Sequence, residues 1–259
     1  MRLRQAVMRI TPNLIIETIW FLKHRKHRLP SSAVYKNIIK EKSGIEIGGP
    51  STTTFTNILP IYQVISNLDC VNFSSKTLWE ASLHEGKLFN YYKNKSGKQF
   101  ISDATDLKNI KSDSYDFVLS SNCLEHIANP LKALEEWTRV VYPNGYIILV
   151  LPNKNSNFDH KRTVTSYEHI LEDYKSDISE HDLSHLNEIL ELHDLSRDLP
   201  AGNYENFKDR CMNNFVTRGL HHHVFDLPLI KTMFSNLNIE LIHMDETETD
   251  YFAVGCITK

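Results

Sequence analysis

The stretch from Ser43 to Thr54, SGIEIGGPSTTT, contains residue types suited to holding a ligand. Its short apolar run ends in Gly48 and Gly49, which is typical of a buried parallel strand followed by a tight loop. Glycine lets the backbone approach a ligand where a Cβ atom would collide. The carboxylate of Glu46, just before the loop, can accept a hydrogen bond from an ammonium or hydroxyl group. An ordinary tight turn would give the same pattern.

Polar residues also stand at the ends of three further segments with strand-like patterns. Asn72 ends the first of these segments, and Asp103 ends the second. Ser121 and Asn122 end the third. In an open α/β sheet, ligands bind at the carboxyl ends of parallel strands. We therefore expect these side chains to lie near the glycine loop, at one edge of a sheet.

Several motifs in residues 43–152, taken in order, resemble the class I S-adenosylmethionine-dependent methyltransferases, in particular the type 11-like branch associated with glycan biosynthesis. The motifs are DFVLSSN at 116–122, LEHI at 124–127, NP at 129–130 and PNGYIILVLP at 143–152. The chain departs from the family pattern at Pro50 and Thr52, where the first loop commonly has further glycines. It also departs at Asn72, where the family commonly has an acid.

The resemblance implies S-adenosylmethionine as cofactor, bound by residues at the strand ends: Glu46, Gly48, Gly49, Asn72, Asp103, Ala104, Ser121 and Asn122. Glu46 would then lie near the methionine ammonium group, and Asn72 near the ribose hydroxyls. Asp103 would accept a hydrogen bond from the adenine amino group. Restoring the family's acid by Asn72→Asp is expected to leave cofactor affinity equal or higher.

Strand-like and helical patterns alternate as far as Pro152, which predicts an α/β fold with a Rossmann-like, doubly wound, mostly parallel sheet. Residues 78–92 have a helical pattern, while Asn129 and Pro130 are suited to begin a helix. After the fifth strand the alternation gives way to a polar, histidine-rich helical insertion. The expected segments are a basic N-terminal helical arm (1–42), a cofactor-binding half (43–152), a helical substrate cap (153–225), and a last helix with a terminal antiparallel β-hairpin (226–259).

Histidine is the side chain best placed to act as a general base near neutral pH, and the chain has 13 of them. The candidate catalytic residues follow the fourth and fifth strands or close the insertion: His126, His160, His221 and His223. Arg162 and Arg218 lie near the two ends of the insertion and are candidates to hold an anionic acceptor. Helix caps or a surface groove would also account for these histidines.

A divalent metal site is an alternative use of the same segment. His160, His181, Asp182, His185 and the run 221–223 could orient a diol through a metal, since His181 and His185 are four residues apart on one helix face. No acid stands at a fixed spacing from these histidines. We therefore assign no metal ligands from the sequence.

Charge is distributed unevenly along the chain. Residues 1–28 contain seven Lys and Arg residues and one acid, Glu17, so this segment carries +6 while the rest of the chain, at an overall −3, carries −9. An acidic body argues against a nucleic-acid groove. The basic arm of residues 1–29 also contains Trp20, which favours peripheral contact with an anionic membrane, although a helix packed on the domain would fit equally. The four scattered cysteines indicate reduced core thiols, and we expect a cytoplasmic location, with the arm available to the inner face of the membrane.

The predicted activity is methyl transfer from S-adenosylmethionine to a small-molecule or glycan-like acceptor, as an O-methylation. The alternative from another class is a catalytically silent methyltransferase-like module that scaffolds a membrane-associated complex. Cofactor binding separates the two, because only the enzyme requires it.

Overall fold

An eight-stranded β-sheet forms the centre of the computed structural model, which describes residues 28–79 and 82–258. In chain order the strands are β1 Ser43–Ile47, β2 Asn67–Asn72, β3 Leu88–Tyr92, β4 Lys95–Ile101, β5 Tyr115–Ser121, β6 Val141–Pro152, β7 Ile239–Glu246 and β8 Asp250–Ile257. Their spatial order is β3-β4-β2-β1-β5-β6-β8-β7. The five strands from β4 to β6 are parallel, whereas β3, β8 and β7 pair antiparallel with their neighbours. The predicted mostly parallel sheet with a terminal antiparallel hairpin is confirmed.

The helices of the described residues flank this sheet and fill the segment after β6. They are α1 Ser32–Ile39, α2 Pro130–Val140, α3 Tyr167–Lys175, α4 Leu186–Leu192, α5 Tyr204–Met212, α6 Asn214–Thr217 and α7 Leu227–Asn236. Helix α2 begins as predicted, because the Asn129 side chain accepts a hydrogen bond from the Lys132 amide and Pro130 occupies the first turn. None of the described helices is long and apolar enough to cross a membrane.

Two apolar clusters pack on the two faces of the sheet. Along β6, Ile147 and Leu149 belong to one cluster, while Ile148 and Val150 belong to the other. Successive side chains of a strand point to opposite faces, so a strand that is apolar at every position must be covered on both sides. Helices α2 and α7 cover the first face through residues such as Trp137.

The structure differs from the sequence prediction at residues 78–92. Instead of a helix, this region contains β3, which forms a hairpin with β4. The side chains of β3 alternate between exposed and buried, and Lys93 adopts a positive φ of 45° in the turn. Gly97 in β4 lies so close to the neighbouring strand that an added Cβ atom would fall 1.5 Å from the Leu68 carbonyl oxygen. The spacing of the apolar residues is compatible with a helix and with a strand, and pairing with β4 makes this segment a strand.

Helices α3 to α6 lie in the predicted helical insertion. Helix α3 joins the core of the sheet through Ile170. Helices α4 and α5 pack instead around a third apolar cluster that includes Ile189, Phe207 and Leu220. Residues 1–27 of the predicted N-terminal arm lie outside the described residues. Helix α1 lies in the remaining part of that arm.

Candidate active site

A cavity of about 440 Å³ opens where β1, β2, β4 and β5 end. Eight of the predicted site residues line it, and seven of these are Gly48, Asn72, Asp103, Ala104, Ser121, Asn122 and Arg218. His126 lines it as well, from the short 3-10 helix Leu124–His126 that follows β5. The carboxyl ends of parallel strands thus meet at one edge of the sheet, as expected for a ligand site. The volume lies within the range of roughly 300–1,000 Å³ that is common for ligand pockets.

The loop after β1 is held from within by Glu46. This carboxylate is completely buried, and it accepts hydrogen bonds from the Ser51 amide at 2.8 Å and from the Tyr62 hydroxyl at 2.5 Å. Burial raises the pKa of Glu46 to about 6, although these hydrogen bonds oppose the shift. Glu46 and Gly49 are not among the cavity-lining residues, and an added Cβ atom at Gly49 would fall 2.3 Å from the Glu46 carboxyl carbon. The two residues therefore shape the loop, which differs from the predicted contact with the cofactor.

Gly48 does line the cavity, and its backbone has a φ of +79°. An added Cβ atom there would lie 2.8 Å from Cys123 Sγ. Both the backbone conformation and the close approach require glycine.

Asn72 lines the cavity at the end of β2 and also supports the first loop. Its Nδ2 donates a hydrogen bond to the Gly49 carbonyl oxygen at 3.0 Å, and the residue is only 6% exposed. A carboxylate could not replace this donor. The amide at this position is therefore part of the loop structure, which the sequence does not reveal.

We expect Asn72→Asp to destabilise the protein, an effect separate from the equal or higher cofactor affinity predicted from the sequence. The new carboxylate would face the Gly49 carbonyl oxygen without a proton between them, which costs about 1–3 kcal/mol of unfolding free energy. Urea denaturation at pH 7 measures the loss. Asn90→Asp, on the exposed face of β3, adds the same charge as a control and should change little. Equal stability of the Asn72 variant and the wild type would contradict this role of the amide.

Asp103, at the end of β4, is an ionised acceptor on the cavity wall. Its Oδ1 accepts from the Thr105 amide and hydroxyl, and its Oδ2 accepts from Arg218 Nη2 at 2.9 Å. Burial alone would raise its pKa, but the Thr105 hydrogen bonds and the Arg218 charge outweigh burial and lower the pKa. Arg218 also contacts Glu180 at 3.1 Å, so an ion-pair chain links the strand end to the insertion across the cavity rim.

Ala104, Ser121 and Asn122 line the cavity as predicted. The Ser121 hydroxyl donates to Thr54 Oγ1 at 3.0 Å and thereby joins the end of β5 to the first loop. Asn122 has a φ of +49°, a left-handed conformation that asparagine tolerates better than most residues. Such backbone conformations are frequent at functional sites.

Among the residues that the structure describes, His126 is the histidine that lines the cavity. Its Nδ1 lies 3.0 Å from the Leu220 carbonyl oxygen, and a carbonyl can only accept, so the neutral ring carries its proton on Nδ1. Nε2 is then left with a free lone pair. Burial, together with the nearby His221, lowers the pKa of His126 well below its usual range, and the ring is therefore neutral at pH 7.

His221 lies directly behind His126, with ring centroids 4.5 Å apart. Its Nδ1 contacts Asp159 Oδ2 at 2.5 Å in a buried pair. Burial lowers the pKa of His221, but the Asp159 carboxylate outweighs burial, and the net shift is upward. Asp159 thus favours the charged form of His221, which lies behind the cavity histidine and does not itself line the cavity.

The other candidate catalytic and substrate-binding residues lie elsewhere, which corrects the sequence predictions. His160 bonds Asp194 at 2.9 Å and does not line the cavity. Arg162 is 2% exposed and is fully engaged with protein groups. His223 is buried against the Ala128 carbonyl oxygen. The positions of these three side chains depend on how the insertion packs back on the sheet. Their place in the sequence does not reveal this packing.

Two aromatic residues of the cavity wall were not found from the sequence. Trp79 lies with its ring 5.2 Å from that of His126, within the segment that was predicted to be helical. Phe73 follows β2, and the Arg218 guanidinium lies over its ring at 5.1 Å. Aromatic walls of this kind offer stacking surfaces for a planar ring.

Residues 49–149 match the family described as "Methyltransferase domain". A search of curated proteins gives no match. One similar solved structure is the complex between the Haloferax volcanii Trm112 methyltransferase activator and a methyltransferase, with a TM-score of 0.50, 11% identity and 92% of each chain covered. Another is the trans-methyltransferase CalH in complex with SAH, with a TM-score of 0.51, 11% identity, and coverage of 96% of this chain and 60% of that one.

Residues 49–149 thus match a methyltransferase domain, and the sheet has the Rossmann-like fold of methyltransferases. The protein is an S-adenosylmethionine-dependent methyltransferase, and the predictions of enzyme class and cofactor are confirmed. The alternative of a catalytically silent module is set aside.

The cavity has features that suit this cofactor. The ionised Asp103 offers an acceptor for an amino group, and the backbone at Gly48 allows a close approach. Asn72 contributes an amide group to the cavity wall, and Ser121 contributes a hydroxyl group. These residues, with Ala104 and Asn122, are the ones that would hold the cofactor.

Proposed function

We propose that the enzyme methylates a hydroxyl group of a small-molecule or glycan-like acceptor, with His126 as the general base. The observation that carries the proposal is the hydrogen bond from His126 Nδ1 to the Leu220 carbonyl, in a ring that lines the cavity. That bond fixes the tautomer in which Nε2 can take up a proton.

A general base is needed most by a hydroxyl acceptor. An alcohol is a weak nucleophile until its proton is removed, whereas a neutral amine already has a free lone pair. When bound, S-adenosylmethionine supplies an activated methyl group and its leaving group. His126 Nε2 would take up the hydroxyl proton while the acceptor oxygen bonds to that methyl group and the bond from the methyl group to sulfur breaks. The strand-end residues hold the two reactants in line, which supplies much of the rate enhancement.

The charges near the cavity favour a neutral acceptor over an anionic one. Arg218 was a candidate for binding an anion, but it already contacts Asp103 and Glu180. The two negative charges of these carboxylates exceed its single positive charge. Arg162, the other candidate, is buried against protein partners. A polyhydroxyl compound such as a sugar therefore fits the site better than a phosphate-bearing one.

The test of acceptor chemistry is methyl transfer to a panel of neutral sugars, amines and thiols in the presence of S-adenosylmethionine carrying a ¹³C-methyl group. Release of S-adenosylhomocysteine reports turnover, and NMR of the product identifies the methylated atom. We expect an O-methyl product. A product methylated only on nitrogen, sulfur or carbon would overturn the proposal while leaving the cofactor assignment intact.

We also propose that the basic N-terminal segment, residues 1–29, contacts anionic membranes. The support is its net positive charge and its tryptophan, set against an acidic remainder. The full chain should co-sediment with vesicles containing phosphatidylserine at low salt, and this association should weaken as salt screens the charges. A chain lacking residues 1–27 is the control. Equal sedimentation of both chains, or none by the full chain, would contradict the proposal.

A further inference from the structure

A second polar cluster lies in the insertion, apart from the cavity. It consists of His169 and Asp173 on α3, His185 just before α4, and His223 in the segment between α6 and α7. One nitrogen or oxygen atom of each residue lies within 4.8 Å of those of the other three. None of the four lines the cofactor cavity. The proposed methyl transfer therefore leaves this cluster unexplained.

The spacing of these atoms matches a tetrahedral metal site. His169 Nε2 lies 2.9 Å from His185 Nε2 and 3.4 Å from Asp173 Oδ2. One nitrogen of the His223 ring lies within 4.8 Å of these ligand atoms. Ligand bonds of about 2.0–2.1 Å at tetrahedral angles place neighbouring ligand atoms about 3.3–3.4 Å apart. A single ion between these side chains thus needs only small shifts.

Two buried acceptors in the cluster lack a donor. Asp173 Oδ2 makes no hydrogen bond within the described part of the chain. His223 is 1% exposed, its Nε2 donates to the Ala128 carbonyl oxygen at 3.1 Å, and its Nδ1 likewise makes no hydrogen bond to the described residues. Buried polar atoms are nearly always paired, and an ion is one of the few explanations for such exceptions. A hydrogen bond between His169 and His185 would satisfy those two rings but not the other two side chains.

Neighbouring groups hold the side chains of this cluster in orientations suited to binding a metal ion. His169 and Asp173 are four residues apart and share one face of α3. The Nδ1 atom of His185 faces Glu188 at 3.7 Å. Metal-bound histidines commonly direct their second nitrogen to a carboxylate or carbonyl, as His185 and His223 do here.

We propose that His169, Asp173, His185 and His223 bind one divalent transition-metal ion of the zinc class. Imidazole nitrogens suit zinc, and four protein ligands form the closed site typical of a structural ion. The ion would join α3, which packs on the sheet, to the start of α4 and to the segment that returns to the sheet. This inference is independent of the proposed O-methylation and differs from the sequence prediction, which assigned no metal.

The full chain, dialysed against metal-free buffer after incubation with zinc sulfate, should retain about one zinc per chain by elemental analysis. Replacement by Co²⁺ should give the visible absorption of a tetrahedral site. At a free zinc concentration near 100 times the dissociation constant, the unfolding temperature should rise by roughly 5–10 °C over the chelator-treated protein. Absence of retained zinc together with an unchanged unfolding temperature would overturn the proposal.

Single variants locate the ion. His169→Gln and His185→Gln, at the less buried positions, should weaken zinc binding by more than about 100-fold, since even the residues that merely orient ligands contribute 10–100-fold. S-adenosylmethionine binding by both variants checks that they fold. His84→Ala, at an exposed histidine, is the matched control and should retain zinc.

Zinc binding at a second group of potential metal ligands would contradict the proposal. Glu125, His126 and His221 also bring their ligand atoms within 4.8 Å of one another. If zinc is lost in His221→Asn and retained in both insertion variants, the ion belongs to that group and the proposal fails.

Discussion

Replacing His126 by alanine is expected to lower the turnover number by roughly 10²–10⁴-fold, the usual contribution of a general base. The variant keeps the strand-end residues that would hold the cofactor, so its S-adenosylmethionine affinity, measured by calorimetric titration, should change little. His181→Ala is the matched control, because His181 stacks on Phe215 in the insertion and does not line the cavity. Near-normal turnover of His126→Ala would show that alignment alone carries the reaction.

The pH dependence of turnover gives an independent measure. Burial lowers the pKa of His126, and the base works only when its ring is neutral. The rate should therefore be flat from pH 7 upward and fall only as the pH drops well below 6.5. In His126→Ala this acid limb should disappear. An acid limb centred near pH 7 would instead indicate Glu125, whose burial raises its pKa to about 7.

Arg162→Met is expected to destabilise the protein by about 3–5 kcal/mol, because it removes one partner of a buried ion pair. The guanidinium donates to the His221 and His222 carbonyl oxygens at 2.7 and 3.2 Å, and to Asp159 at 3.2 Å. Methionine fills similar space but removes the donor from the two carbonyl oxygens and from Asp159 Oδ1, while Asp159 Oδ2 keeps its contact with His221. Denaturant unfolding at pH 7 gives the change in free energy.

Arg197→Met is the control for Arg162→Met. Arg197 also lies in the insertion and pairs with an acid, Asp194, but its side chain is 40% exposed. Exposed ion pairs contribute at most about 1 kcal/mol. A normally stable Arg162→Met with a raised KM for the acceptor would instead return Arg162 to a substrate-binding role.

The parts of the fold that sequence reasoning predicted correctly are those set by local pattern. The strands at 43–47 and 115–121 are buried at nearly every position, as expected for strands of a sheet that is covered on both faces. The helix cap at Asn129 also follows from local sequence. So does the sheet edge where Asp103 and Ser121 both line the cavity. The topology of parallel strands then brings the cavity residues together without further information.

The errors concern residues whose environment depends on contacts distant in sequence. Arg162 appeared to be a free cation near the site, yet all partners of its guanidinium except Asp159 lie 26 to 60 residues away, on two other segments of the insertion. Among 13 histidines, no local pattern distinguishes His126, which faces the cavity, from His223, which does not. The amide of Asn72 seemed a defective acid because its acceptor, the Gly49 carbonyl, is 23 residues distant.

The third apolar cluster, around which α4 and α5 pack, has a consequence for hydrogen exchange. Its members, such as Phe207 and Cys211, belong to neither core of the sheet. Regions with a separate core open as units of their own, with a free energy below that of global unfolding. The amides of α5 should therefore exchange together and faster than those of β5. Such an opening would separate Arg218 from Asp103 and widen the cavity for an acceptor while the sheet stays intact.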